Sequence, residues 1–85
     1  MGNTVTGNSV GIAGAYGSSV TDNTVSGSGA LGITCFDKCT ITRNTAYNNT
    51  GTGINAGTYC TITNNTTDGL ANGANCTLAD NTVTP

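Results

Sequence analysis

The sequence predicts an all-β fold, a parallel β-helix of about four coils with roughly 20 residues per coil. Three observations carry that reading. The dipeptide Asn-Thr recurs at Asn3, Asn23, Asn44, Asn65 and Asn81, with spacings of 20, 21, 21 and 16 residues. A glycine followed by an aliphatic recurs at Gly11-Ile12, Gly32-Ile33, Gly53-Ile54 and Gly69-Leu70. From that aliphatic to the next Asn the distance is 11 residues in every repeat, whereas from Asn to the next aliphatic it is 9, 10, 10 and 5. Half of each repeat therefore keeps its length and the other half absorbs the variation. A disordered low-complexity segment has no reason to hold such a register.

Within the constant half the hydrophobic period is 2. Ser18 and Val20, Cys39 and Ile41, Cys60 and Ile62, and Cys76 and Leu78 alternate with polar residues. After each Asn, the positions Val5, Val25, Ala46, Thr67 and Val83 alternate with Thr or Ser on the outward side. This is the pattern of short half-buried strands, not of helices. Gly and Asn between the strands supply the bends. One coil cannot bury its own inner face, but coils stacked at about 4.8 Å pair their backbone groups and share a core. Each repeated position then becomes a column. Asn3, Asn23, Asn44, Asn65 and Asn81 form an inward ladder at a tight turn, where each amide can bond the next. Ile12, Ile33, Ile54 and Leu70 form one core column, and Val20, Ile41, Ile62 and Leu78 another.

Composition narrows the function classes. The 85 residues make one domain, 1–85, read as a module of a longer protein. Only 7% are charged, the net charge is −2, and Lys38 and Arg43 are the only cations, so a nucleic-acid footprint is not expected. No apolar run approaches the length of a membrane span, and no basic-then-apolar export signal follows Met1. There is no His and no Glu, which removes the usual acid–base residues. No catalytic, cofactor-binding or metal-binding residue is assigned.

The segments GITCFDKCTITRNT, GINAGTYCTITNNT and GLANGANCTLADNT resemble the right-handed parallel β-helix repeat of the pectin-lyase-like superfamily. The resemblance covers essentially the whole chain. It implies right-handed coils of three strands: the Gly-aliphatic segment, the Cys-Thr-Ile-Thr segment, and the segment after Asn. It also implies that an enzyme's cleft would lie over the outward face of the first strand. That face is expected to show Gly11 and Ala13, Gly32 and Thr34, Gly53 and Asn55, and Gly69 and Ala71, with no ionisable group among them. Neither the calcium-binding acidic cluster of the superfamily's lyases nor the grouped aspartates of its hydrolases carries over to any position.

Four residue sets remain as candidates. Asp22 and Arg43 share a column on adjacent coils and are expected to pair on the surface, with little effect on stability. Cys39, Cys60 and Cys76 form an inward column, read as buried reduced thiols; a Cys35–Cys39 bridge around the Phe-Asp-Lys turn is the alternative, and a zinc site is the weakest reading. Outward Thr residues of the second strand, Thr40, Thr42, Thr61, Thr63 and Thr77, form a grid that serves as a ligand face, with Tyr47 and Tyr59 as the surfaces suited to stacking on sugars. The sequons at Asn48, Asn64, Asn65 and Asn75 are expected by chance in so Asn- and Thr-rich a chain.

The expected function is that of a non-catalytic structural or adhesive module of an extracytoplasmic microbial protein that binds polysaccharide. A fragment of a polysaccharide lyase or hydrolase is the first alternative. An ice-binding protein using the Thr-x-Thr face is the second. The expected partners are polysaccharide and, at the open ends of the stack, further copies of the chain or flanking capping sequence.

Overall fold

The computed structural model describes residues 2–83; Met1, Thr84 and Pro85 lie outside the described residues. Among the described residues the chain forms thirteen short strands and no helix. The third strands of the coils, β1 (Thr4–Thr6), β4 (Thr24–Ser26), β7 (Thr45–Tyr47), β10 (Thr66–Thr67) and β13 (Thr82–Val83), make one sheet in that order. The first strands, β2 (Val10–Gly14), β5 (Leu31–Cys35), β8 (Ile54–Ala56) and β11 (Leu70–Ala71), make a second sheet. The remaining strands, β3 (Ser19–Thr21), β6 (Thr40–Thr42), β9 (Thr61–Thr63) and β12 (Thr77–Ala79), make a third. Every pairing is parallel and each strand pairs with its counterpart one coil on, as in Ile33↔Ile54 and Ile41↔Ile62. The fold is thus an all-β parallel solenoid. About three circuits run at full length, 20, 21 and 21 residues between ladder asparagines, and a last circuit closes in 16. The expectation of about four coils is corrected to about three full circuits: after β10 the chain turns at Asp68 straight into Gly69 and β11, without the loop the longer circuits carry.

The bends come from single residues in left-handed conformation, stacked in three columns. Asp22, Arg43, Asn64 and Asp80, with φ between 55° and 57°, and Gly2 at 66°, each stand immediately before a ladder Asn. Gly17, Lys38, Tyr59 and Asn75 turn the chain from first to second strand, with φ of 74°, 60°, 56° and 59°. Gly7, Gly27 and Asn48 turn it out of the third strand, at 71°, 67° and 54°. Non-glycine residues rarely take this conformation. Here backbone bonds to the next coil hold it, as in Lys38 N–H to Thr58 O at 2.9 Å and Arg43 N–H to Thr63 O at 3.2 Å. The sequence suggests the ladder asparagines themselves for this role. They are instead the residues just after the bend, which frees their side chains to point inward.

The ladder runs through the whole described stack. The Asn23 backbone N–H and its Nδ2 both donate to Asn44 Oδ1, at 3.0 and 3.1 Å. The same pair of bonds joins Asn3 to Asn23, Asn44 to Asn65 and Asn65 to Asn81. The second amide hydrogen turns to the preceding coil: Asn44 donates to Val20 O at 2.9 Å, Asn65 to Ile41 O at 3.0 Å and Asn81 to Ile62 O at 2.9 Å. Each inner amide therefore donates twice and accepts twice, so that burial to 1% exposure at Asn44 and Asn65 leaves none of its polar atoms unmatched.

The core is narrow. Val25, Ile33, Ile41, Ala46, Ile54 and Ile62 are fully buried. Leu78 departs from its expected place in the core: it is 46% exposed, because it lies in the last row and no described coil covers it. The glycines before the first-strand aliphatics also depart from expectation. Gly32 and Gly53 are buried and do not face solvent. A Cβ on Gly32 would strike the Gly53 carbonyl oxygen and Asn49 Nδ2, and one on Gly53 would strike Thr67 Oγ1 and Asp68 Oδ1. Against these glycines lies a second polar column that the sequence reading missed. In it Ser28 N–H donates to Asn49 Oδ1 at 3.0 Å and Asn49 N–H donates to Asp68 Oδ2 at 2.9 Å.

Two outcomes test this account. Replacing Asn44 with Ala removes the acceptor for two Asn23 donors and the donors to Asn65 and Val20. With each orphaned buried group costing roughly 1–3 kcal/mol, a loss of about 3 kcal/mol or more is expected in urea unfolding, against less than about 1 kcal/mol for Asn3→Ala at the exposed end. Equal losses at the two positions would refute the claim that burial makes the ladder essential. The second outcome concerns Asp22, whose carboxylate is bonded by Arg43 at 2.8 and 3.0 Å. The Arg43 hydrogen bonds hold the Asp22 pKa below its ordinary value. A depressed folded pKa gives stability that is present above the unfolded value of about 3.9 and lost as pH falls through the folded value. In a double-mutant cycle of Asp22→Asn and Arg43→Gln read by melting temperature, the coupling should exist at pH 7 and fade in acid. A coupling that persists unchanged in strong acid would contradict the assignment.

Candidate functional site

Three of the chain's four aromatic residues meet at one corner of the solenoid, the bend between first and second strands. Four residues separate Gly14 from Ser19, Cys35 from Thr40 and Ala56 from Thr61, and both ends of these segments are in register. The bends Ala15-Tyr16-Gly17, Phe36-Asp37-Lys38 and Gly57-Thr58-Tyr59 therefore stack position on position. Tyr16 is 61% exposed, Phe36 68% and Tyr59 60%. One aromatic stands on each of three successive coils, each at a different step of the bend. With coils about 4.8 Å apart, they cover a stretch of roughly 10 Å along the axis.

The corner's backbone is heavily restrained. Gly17 N–H donates to Asp37 O at 3.0 Å, Lys38 N–H to Thr58 O at 2.9 Å and Tyr59 N–H to Ala74 O at 3.0 Å. Asp37 Oδ1 accepts from Thr58 N–H at 2.9 Å, and that bond to the backbone holds its carboxyl below the ordinary range. Lys38 Nζ lies 5.7 Å from the centroid of the Tyr16 ring, within cation–π reach. A disulfide joins Cys35 to Cys39 across the middle bend, with Cα atoms 6.5 Å apart. Of the two readings of the thiol column, the alternative holds for Cys39, which is bridged, while Cys60 is a buried free thiol and Cys76 a half-buried one. The reason is local. Cys35 ends the first strand facing inward, and the tight bend returns the chain to Cys39 on the same side.

The two tyrosines singled out from the sequence do not share a surface. Tyr59 joins the aromatic corner; Tyr47 ends β7 in a different sheet, in register with Ser26, and is 45% exposed. Tyr16 and Phe36 were missed. Their signal was present: each falls, like Tyr59, within the four residues that bridge first and second strands.

The Thr grid lies on the sheet of β3, β6, β9 and β12. Thr40, Thr61 and Thr77 form an exposed row in register with Ser19. Thr42 and Thr63 form a half-buried row with Thr21, continued by the exposed Ala79, and the Thr42 and Thr63 hydroxyls bond each other at 3.0 Å. Arg43 stands at the rim of this row with its side chain 58% exposed. A hollow over the last coil is lined by Leu70, Leu78, Asn81 and Val83; these are the final members of the core columns and not a separate cleft. Comparison with known proteins finds no matching family model, no matching curated protein and no matching solved structure.

Proposed function

We propose that this chain is a non-catalytic structural or adhesive module of the pectin-lyase-like β-helix type, belonging to an extracytoplasmic microbial protein, and that it grips a polysaccharide along the aromatic corner. The observation that carries the reading is the set of Tyr16, Phe36 and Tyr59, exposed on three successive coils of a corner fixed by inter-coil hydrogen bonds and a disulfide. Sugar rings present C–H faces that stack on aromatic rings, and a pre-organised row loses little entropy on binding. Thr58 and Asn75, in the same bends, offer hydroxyl and amide groups to sugar hydroxyls. The chain's net charge of −2 favours a neutral glycan over a polyanionic one. The Cys35–Cys39 disulfide supports an oxidising compartment. Catalysis is disfavoured by the outward positions of the first strands, Ala13, Thr34, Asn55 and Ala71, which offer no proton donor or acceptor of suitable pKa.

A glycan array followed by titration calorimetry tests this. Tyr16→Ala and Tyr59→Ala should each weaken binding about tenfold, consistent with an aromatic contact of about 1–1.5 kcal/mol, and Tyr47→Ala should leave it unchanged. An array with no neutral-glycan hits would remove the proposal.

Ice binding by the Thr grid is the reading we reject. The inner row spends its hydroxyls on itself at Thr42 and Thr63, Ala79 interrupts it, and the Arg43 guanidinium at its rim keeps liquid water ordered around a charge. No thermal hysteresis is expected. Hysteresis in the unaltered protein that disappears in Thr61→Tyr would reverse this choice.

A further inference from the structure

Cys39, Cys60 and Cys76 each precede a member of one registered row, Thr40↔Thr61↔Thr77, so they follow one another up a single inward column. Their sulfurs all lean toward the preceding coil. Cys39 Sγ lies 3.3 Å from Ala15 O, Cys60 Sγ 3.3 Å from Phe36 O and Cys76 Sγ 3.1 Å from Gly57 O. Phe36 belongs to the loop that the Cys35–Cys39 bridge closes, so the Cys60 thiol is held against that loop. Cys76 Sγ in turn accepts the Cys60 backbone N–H at 3.4 Å. Two buried bridged sulfurs, a buried free thiol and a half-buried free thiol thus stand in order from the interior of the stack toward its last coil. Cys35 is 4% exposed, and Cys39 and Cys60 are 1% exposed each.

We propose that the four cysteines form an internal thiol–disulfide relay, through which the buried Cys35–Cys39 bridge exchanges with solvent by way of Cys60 and Cys76. In the first step the Cys60 thiolate attacks Cys39 Sγ. The Cys39–Cys60 bond forms, the Cys35–Cys39 bond breaks, and the proton lost by Cys60 is matched by the one taken up at Cys35. In the second step the Cys76 thiolate attacks Cys60 Sγ. The Cys60–Cys76 bond forms, the Cys39–Cys60 bond breaks, and the proton lost by Cys76 is matched at Cys39. Both steps are redox-neutral and need no added oxidant. An external thiol then attacks Cys76, the sulfur nearest solvent, and a second thiol completes reduction with release of an external disulfide. Run backwards, with an external disulfide as oxidant, the same sequence forms the inner bridge. Adjacent rungs about 4.8 Å apart fall within the Cα range a disulfide spans, while their parallel Cβ directions strain the inter-coil bonds. The inter-coil bridges are therefore short-lived carriers, and the Cys35–Cys39 bridge is the resting state.

The chain has only two tryptic sites, Lys38 and Arg43, and they separate the cysteines cleanly. Native protein carrying one bridge per chain is held at mildly alkaline pH, acid-quenched, alkylated and digested. The resting bridge links peptide 1–38 to peptide 39–43; the first exchange links 39–43 to 44–85, and the second leaves an internal bridge in 44–85. The relay predicts that the two exchanged forms are trapped as minor species in the unaltered protein, at a share independent of protein concentration, and that both vanish in Cys60→Ser and in Cys60→Ala. It also predicts that reduction of the folded protein by a small dithiol slows at least about tenfold in Cys76→Ser, because the half-buried sulfur nearest solvent is gone. Persistence of the 1–38 to 39–43 linkage alone overturns the proposal. So does exchange that occurs only between chains, or equal reduction rates for the unaltered protein and Cys76→Ser.

Discussion

The inward amide ladder is the interaction on which the rest of this structure depends. A solenoid with so few large side chains has little apolar area to bury, and its interior must also accommodate a polar corner. The asparagine column resolves both difficulties. Each inner amide accepts from the previous coil's amide through its oxygen, and through its nitrogen donates both to the next coil's amide and to the previous coil's second strand. The same oxygen also accepts a backbone N–H, so backbone register and side-chain register are tied together at one atom. A slip of one residue in any coil would leave several buried donors unmatched. That penalty keeps Ile33 beneath Ile54 and Ile41 beneath Ile62, and so it maintains the narrow core.

The left-handed bends follow from the ladder. For an Asn side chain to reach inward just after a second strand, the chain must reverse within one residue, and Asp22, Arg43, Asn64 and Asp80 take that conformation. Asp and Asn enter it readily; Arg43 is held there by its own backbone bond to Thr63 and gains a carboxylate partner in Asp22. The same logic at the bend between first and second strands leaves the left-handed Lys38 and Tyr59 with side chains thrown outward, beside the exposed Tyr16 and Phe36 of neighbouring steps.

The architecture was legible in the sequence because its determinants repeat. Asn44, Asn65 and their counterparts, the aliphatic positions and the spacing between them all fall into columns by inspection. What the repeat does not encode was read less well. Leu78 matches its column perfectly in sequence, yet it is exposed, because burial depends on a neighbouring coil above and no described coil lies over it. The first-strand glycines obey the alternation of an ideal strand on paper. In the structure the backbone comes too close to the next coil for that alternation to hold. The Cys35–Cys39 bridge depends on how sharply one bend returns the chain, a tertiary fact that spacing left open. Tyr16 and Phe36 escaped notice because they occupy non-equivalent steps of the bend, so no column of like residues marked them.

The shortened last circuit shows where this chain tolerates change. Five residues are missing between Asn65 and Leu70 relative to the two preceding circuits, yet the ladder bonds on either side keep lengths of 3.0 to 3.1 Å. Asp68 takes over the role of Asn49 in accepting a backbone N–H from the coil below. The bend between third and first strands thus changes length without breaking the ladder on either side of it. Insertions and deletions accumulated over generations can collect at that edge while the other two corners stay unchanged, and a foreign loop spliced into it would be displayed beside a rigid, addressable lattice.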